Sequence, residues 1–319
     1  MLEGIKMELE IFEEDKELNE LLQRPNSPEL NNILGKKIKV LDHGFVRVID
    51  YMGDDNSIVQ AARVSYGKGT KKKSEDSALI NYLLKHKHTT PFEMCEIKFH
   101  VKMPIFIARQ WIRHRTANVN EYSARYSIAI DDYYLPNTSE ISPQSVWNKQ
   151  CRDEGVNFIE SDALKIQDKI KESSDKSYET YLSLLNCDSD YASGQKPIDP
   201  SKPQVARELA RSVLSLNHYT EMYWKIDLHN LLHFLNLRSH KHAQYEIRVY
   251  AIAMLDLVKL WVPVTYNAFI DHVKNSVNIS QKLIEVAKKK ISGQEVTQEN
   301  SGLSKREWNE FVSIFCRDE

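Results

Sequence analysis

The chain has 319 residues, 41% hydrophobic and 28% charged, the balance of a soluble globular protein. Lys+Arg 43 against Asp+Glu 45 leaves a net charge of -2, which argues against a dedicated duplex-binding protein and still permits local phosphate pockets. No run approaches the roughly 18 unbroken apolar residues of a membrane span. The acidic start MLEGIKMELEIFEED lacks the basic and apolar regions of a secretory signal, and Cys95, Cys151, Cys187 and Cys316 form no CxxC pair, so the expected setting is a reducing cytoplasm with neither a disulfide framework nor a Cys-rich zinc site.

In chain order, residues 1–35 are charged and predict a helix ending in the loop RPNSPEL. A strand-like run follows at 37–49, then a helix at 56–66, then the solvated loop GKGTKKKSED, whose lysines read as wet surface. SALINYLLKHKH predicts an amphipathic helix with Leu79, Leu83 and Leu84 on one face. In EIKFHVKM, Ile97, Phe99 and Val101 alternate with Glu96, Lys98, His100 and Lys102, the pattern of a half-buried strand. Pro104 suits the first turn of a helix through IFIARQWIRHR, with Ile105, Ala108 and Ile112 as its expected core face. Segments 137–160 and 186–203 are rich in Ser, Pro, Asp and Asn and read as surface excursions around a long helix at 158–185. QVARELARSVLSLN predicts another helix, EMYWKID a strand and LHNLLHFLNLR a short helix. HAQYEIRVYAIAMLDLVKLW carries an apolar stripe of Ala243, Ile247, Tyr250, Ala251, Met254 and Val258. In the charged tail, Ser304 and Glu307 offer a capping box for a last helix containing Trp308 and Phe311. No internal repeat is present. The fold class expected is α+β: a central mixed or antiparallel sheet flanked by long helices, in one domain over 37–270. An extension (1–36), a variable excursion (137–202) and a tail (271–319) complete the division.

The densest polar cluster is RHRTANVNEYSARYS, residues 113–127. Three cations at a helix C-terminus suit the negative end of its dipole. The next residues add Asn118, Asn120, Glu121, Ser123, Arg125 and Ser127 in a segment read as a non-repetitive loop, and loops so dense in directional polar groups bind ligands, phosphate included. His229 and His233 stand four apart on a helix, a zinc-like spacing, but Asn230 replaces the HExxH glutamate and no third ligand is placed. The His86/His88 and His240/His242 pairs read as surface or packed histidines. Arg238 sits between two helical segments and Arg211 lies within ARELARSVLSLN; several guanidinium forks brought together would suit a nucleotide. Three other readings stand beside this one: a nucleic-acid module around RHR and Arg125, a metal-dependent hydrolase using His229, His233 and His242, and a helical structural protein with incidental charge.

Arg113-His114-Arg115, seven residues and then Ser123 resemble the hallmark of the flavin-dependent thymidylate synthases. HKHTTPFEMCEIKFHVKMPIFIARQWIRHR is similar to the family's segment just upstream of it, AARVSYGKG to an earlier turn, and LARSVLSLNHYTEMYWKIDLHNLLHFLNLRSHKHAQYEIRVYA to its C-terminal half. The likeness spans about residues 40–135 and 203–270. It implies a methyltransferase of dTMP biosynthesis that converts dUMP to dTMP. FAD would be the cofactor, with NADPH as reductant and 5,10-methylenetetrahydrofolate as carbon donor. It also implies a homotetramer with active sites between subunits, and no nucleic acid, membrane or metal partner. No cysteine would attack the uracil, so Ser123 is expected as a substrate contact. By the same resemblance, Arg113, His114, Arg115 and Glu121 touch flavin, with Arg113 and Glu121 also facing dUMP. Gln110, Ser123, Ala124, Arg125 and Arg211 form the nucleotide cradle. Thr90, Asp227, His229 and His233 contact flavin, some family members carrying asparagine where Asp227 and His233 stand, and Ser65 and His88 are lesser candidates. Arg238 matches the catalytic arginine that activates the pyrimidine.

Overall fold

The computed structural model describes residues 25–64, 76–146, 149, 151–153, 155–188 and 197–316. Strand-forming residues build one five-stranded sheet, antiparallel throughout, in the order β1-β2-β3-β5-β4. The strands are β1 (Ile38–Val40), β2 (Gly44–Met52), β3 (Glu96–Pro104), β4 (Asn118–Glu121) and β5 (Tyr219–Asp227). The expectation of a mixed or antiparallel sheet thus resolves to the antiparallel form, with no crossover helix needed to return a parallel strand. The period-2 pattern of β3 holds: Ile97, Phe99, Val101 and Met103 are fully buried. The other face is charged and internally paired, with Lys225 donating to Glu96 at 2.8 Å and Arg47, His100 and Glu221 linked in a row.

The helices before the hallmark are α1 (Pro28–Asn31), α2 (Asp55–Arg63), α3 (Asp76–Lys85), α4 (Thr90–Glu93) and α5 (Ile105–Trp111). They are followed by α6 (Glu160–Leu185), α7 (Arg207–Ala210), α8 (Leu228–Arg238), α9 (Tyr245–Trp261) and α10 (Pro263–Phe269). Five aromatic side chains lock sheet to helices. Trp111 of α5 meets Trp224 of β5 edge-on at 5.3 Å, Phe234 of α8 at 4.8 Å and Tyr250 of α9 at 5.9 Å, and Phe99 stacks on Trp224 at 6.2 Å. All five are fully buried, and such pairs add stabilisation beyond the area they bury.

Several expectations shift by a residue or more. The core face of α5 is Ile107, Ala108 and Trp111, because the indole claims the interior and turns Ile112 outward. On α3 the buried pair is Ile80 and Leu83. QVARELARSVLSLN is helical only over α7 and then tightens to a 3-10 turn, Arg211–Val213. Ser215 and Asn217 divert the backbone there: Ser177 Oγ accepts from Ser215 N at 2.9 Å and Asn217 Nδ2 donates to Tyr134 O at 3.0 Å. The N-terminal helix expected over 1–35 falls largely outside the described residues, which hold only α1 of it.

By its internal contacts the chain forms two compact units, one ending at Phe269 and one spanning Ile270–Glu319. The second carries its own core of Leu283, Val286, Leu303 and Phe311. Its last helix, Lys305–Phe315, starts with the expected capping box between Ser304 and Glu307. Among the described residues no helix is long and apolar enough to cross a membrane.

Gly44 opens β2 where Tyr250 reaches across to donate to Lys102 O at 2.6 Å. A Cβ at Gly44 would lie 2.0 Å from that hydroxyl, 2.6 Å from Val40 O and 2.9 Å from Lys102 O. Gly44→Ala is expected to destabilise the fold by about 2–3 kcal/mol in urea unfolding, with partial recovery in Gly44→Ala/Tyr250→Phe. An unchanged midpoint for the single variant would contradict this close approach.

Candidate active site

α5 stops at Trp111 and the chain turns, His114 N donating to Trp111 O at 3.0 Å. The turn seats the His114 ring edge-on against Phe234 at 4.8 Å and 6.0 Å from the ring of His233. Arg238, the last residue of α8, donates from Nε to His114 Nε2 at 3.1 Å and from Nη2 to Gln110 O at 3.5 Å. An imidazole nitrogen that accepts carries no proton, so His114 is neutral with its hydrogen on Nδ1. Burial, then Arg238, then His233 push His114 down from 6.5 to about 4. Burial and then Arg113 lower Arg238 from the ordinary arginine value, yet its guanidinium stays charged at any working pH. Arg113 and Arg115, on either side of His114, are exposed.

The segment after the hallmark is not all loop. Asn118–Glu121 form β4, at one edge of the sheet, and all four residues are exposed. Pairing with β5 aligns Glu121 so that buried Thr220 donates from Oγ1 to Glu121 Oε1 at 2.8 Å. The loop then leaves the sheet through Tyr122, whose N donates to Glu221 O at 2.7 Å. Helix α6 fastens its far end: Ala129 N donates to Tyr181 Oη at 3.0 Å and Tyr178 Oη donates to Ala129 O at 3.1 Å. Within the loop, Ser123 Oγ accepts from Arg125 N at 3.4 Å, and Ala124 is half-buried. The Arg207–Val213 segment lies alongside: Arg207 Nη1 donates to Tyr126 O at 2.8 Å and Arg125 pairs with Glu208 at 3.3 Å. Arg211 opens the 3-10 turn, held by Ser177 Oγ donating to Val213 O at 2.7 Å.

The remaining expected residues gather at the start of α8 and on α4, which pack together. Thr90 opens α4 and is exposed. Asp227 caps α8, taking Asn230 N at 2.9 Å and Asn230 Nδ2 at 2.8 Å, so both carboxylate oxygens are engaged. His229 is half-buried one residue into the helix, and His233 is exposed one turn on. His88 is exposed and stacks on Tyr82 at 5.9 Å, while Ser65 lies outside the described residues. Among the described residues no group of three His, Cys, Asp or Glu side chains is placed to hold a metal ion.

The single chain therefore brings Gln110, Arg113, His114, His233 and Arg238 into one group, and Glu121, Ser123, Arg125 and the Arg211 turn into another. Among the described residues no hydrogen bond or ion pair joins the two groups. Sequence reasoning passed over Thr220, Glu208 and the tyrosines of α6. Their signals were present: a hydroxyl on the buried register of a strand needs a partner, and Tyr178 and Tyr181 sit three apart on one helical face. The arginines differ in their partners. Arg63 and Arg152 each pair with a carboxylate at 2.5 Å, whereas among the described residues none pairs with Arg113, Arg115, Arg211 or Arg238. Unpaired forks of this kind suit a polyanionic, planar ligand.

Comparison with known proteins agrees with this chemistry. The family model described as "Thymidylate synthase complementing protein" matches residues 47–264. The flavin-dependent thymidylate synthase of Rickettsia bellii (strain RML369-C) is 59% identical over 297 residues, covering 93% of this chain and 99% of that protein. That of Ehrlichia ruminantium (strain Gardel) is 54% identical over 298 residues, covering 93% and 94%. The crystal structure of a UMP/dUMP methylase, PolB from Streptomyces cacaoi, bound with 5-Br UMP superposes with a TM-score of 0.62 at 30% identity, covering 75% of this chain and 99% of that one. The same methylase bound with 5-Br dUMP gives 0.62 at 29% identity, over 75% and 100%. By its hallmark, its sheet and these likenesses, the chain belongs to the flavin-dependent thymidylate synthase family.

Proposed function

We propose that this protein converts dUMP to dTMP by reductive methylation in the cytoplasm, as a homotetramer whose sites form between subunits. The observation that carries the reading is Arg238: a half-buried guanidinium held by a neutral imidazole and a carbonyl, with its charge left for a ligand. Burying a cation without a counter-charge is unfavourable, so such a group is kept where an anionic partner arrives. Negative charge that builds on the N3/O4 side of uracil makes carbon-5 nucleophilic, and a fixed guanidinium beside it stabilises that charge in a desolvated pocket.

The donor set fits FAD. Arg113 and Arg115 offer cations without a carboxylate partner for a pyrophosphate, and Thr90, His229 and His233 offer polar groups on two helices that touch. When bound, the flavin, reduced by NADPH, supplies the hydride that completes a methyl group delivered by 5,10-methylenetetrahydrofolate. The protein's part is to bind and orient. Gln110, Arg113, Glu121, Ser123, Ala124, Arg125 and Arg211 cradle the nucleotide, and Thr220 aims Glu121. Asp227 contributes by fixing the start of α8 and so the directions of His229 and His233. The assembly is supported by what one chain leaves open: the edge strand β4 is exposed along its length, and Tyr126 (81%), Leu209 (64%) and Val119 (44%) leave apolar surface beside the nucleotide cradle.

Arg238→Ala is expected to retain flavin, giving a yellow protein, and to lose about 100-fold in dTMP formation, equivalent to about 3 kcal/mol of barrier. Arg238→Lys should also be poor, because a point charge does not reproduce a planar fork. Turnover within a few-fold of wild type in the alanine variant would refute the assignment.

His114 gives a second test. Its folded value of about 4 lies below the ordinary 6.5, so the unfolded chain binds the proton first. The stability this group contributes is complete above pH 6.5 and declines as pH falls toward 4. Only as pH reaches about 4 does the folded imidazole take up a proton, lose its role as acceptor for Arg238 and become a like charge. An NMR titration of the His114 ring should show no protonation until pH approaches about 4, and an inflection near 6.5 would contradict the neutral acceptor.

A further inference from the structure

Gln110 is not left to rotate at the edge of the site. Its Nε2 donates to Gln244 Oε1. Gln244 Nε2 in turn donates to Glu246 Oε2 at 2.8 Å. Glu246 is 4% exposed, and its Oε1 accepts from Arg152 Nη2 at 2.5 Å and from Tyr134 Oη at 3.4 Å. Arg152 is anchored in its own right, donating from Nη1 to Glu140 O at 2.6 Å. The chain of contacts begins in the middle excursion and ends at a residue whose carbonyl also receives Arg238.

The chemistry gives this chain a direction. A carboxylate paired with a guanidinium only accepts hydrogen bonds, so Gln244 must turn its NH2 toward Glu246. Its carbonyl oxygen is then committed to the other side, where it can only accept. Gln110 must therefore present its own NH2 to Gln244. The carbonyl oxygen and second N–H of Gln110 are left in fixed directions, where an unrestrained amide would sample both faces. We propose that Gln244 is a positioning residue: through the Arg152–Glu246 pair it sets which end of the Gln110 amide meets the nucleotide, and so couples the middle excursion to substrate binding. This rests on the reading of Gln110 as a dUMP contact. Gln244 is itself exposed at the start of α9, so its side chain contributes little to the core and its conservation of direction is the part that matters.

The test is a double-mutant cycle on flavin-loaded tetramer, using Gln244→Met, Gln110→Met and the pair, with dUMP affinity measured by equilibrium dialysis. Gln244→Met is expected to weaken dUMP binding about threefold to tenfold, the span of one lost neutral hydrogen bond. KM for dUMP should rise in parallel, with kcat at saturating dUMP within twofold and flavin content and melting temperature unchanged. The double variant should bind no more weakly than Gln110→Met alone, because Gln244 acts only through Gln110. Unchanged affinity in Gln244→Met, or effects of the two substitutions that multiply, would overturn the relay. The underlying reading fails differently: wild-type protein that does not retain dUMP removes the substrate assignment and the relay with it.

Discussion

A guanidinium bonded to an imidazole instead of a carboxylate is the contact around which this molecule is organised. A carboxylate would have neutralised Arg238 and left nothing for a ligand. His114 supplies orientation without charge, and it can do so only because it is kept unprotonated by burial and by the cations near it. That requirement reaches deep into the fold. His114 lies edge-on to Phe234, which packs on Trp111 and Trp224, so the aromatic lock between sheet and helices also fixes the imidazole plane. Core packing and site geometry are here one set of contacts.

The edge strand shows the same economy from the other side. β4 borrows its register from β5, and β5 supplies Thr220 to Glu121. Helix α6, which belongs to the middle excursion, then pins the loop at Ala129 and the Arg211 turn at Val213. The long helix set between two segments that read in sequence as surface excursions thus braces both the loop after β4 and the turn at Arg211.

What could be read from the residues alone follows from the range of the forces involved. Alternation in EIKFHVKM and the helical stripe of HAQYEIRVYAIAMLDLVKLW are local patterns, and both elements appear where expected, with Ile247, Tyr250, Ala251, Met254 and Val258 fully buried. The capping box at Ser304 and Glu307 is likewise local and present. The misses are tertiary. No propensity announces that Asn118–Glu121 will pair with β5, that Trp111 will displace Ile112 from the core, or that Ser215 and Asn217 will end the helix begun at Arg207. The hallmark arginines were legible as a constellation because their spacing is fixed along the chain. The partners of Glu121 and Arg125 in the segment that follows, Thr220 and Glu208, are contributed from distant segments and were not.

The brevity and polarity of β4 carry one more implication. An unpaired strand margin invites stacking with other chains. Here it is four residues long and presents Asn118, Asn120 and Glu121, the kind of short, polar border that discourages runaway growth. The side chains that give β4 its polarity thus also set how this border meets other chains: as a margin poor in the long apolar edge on which strands stack.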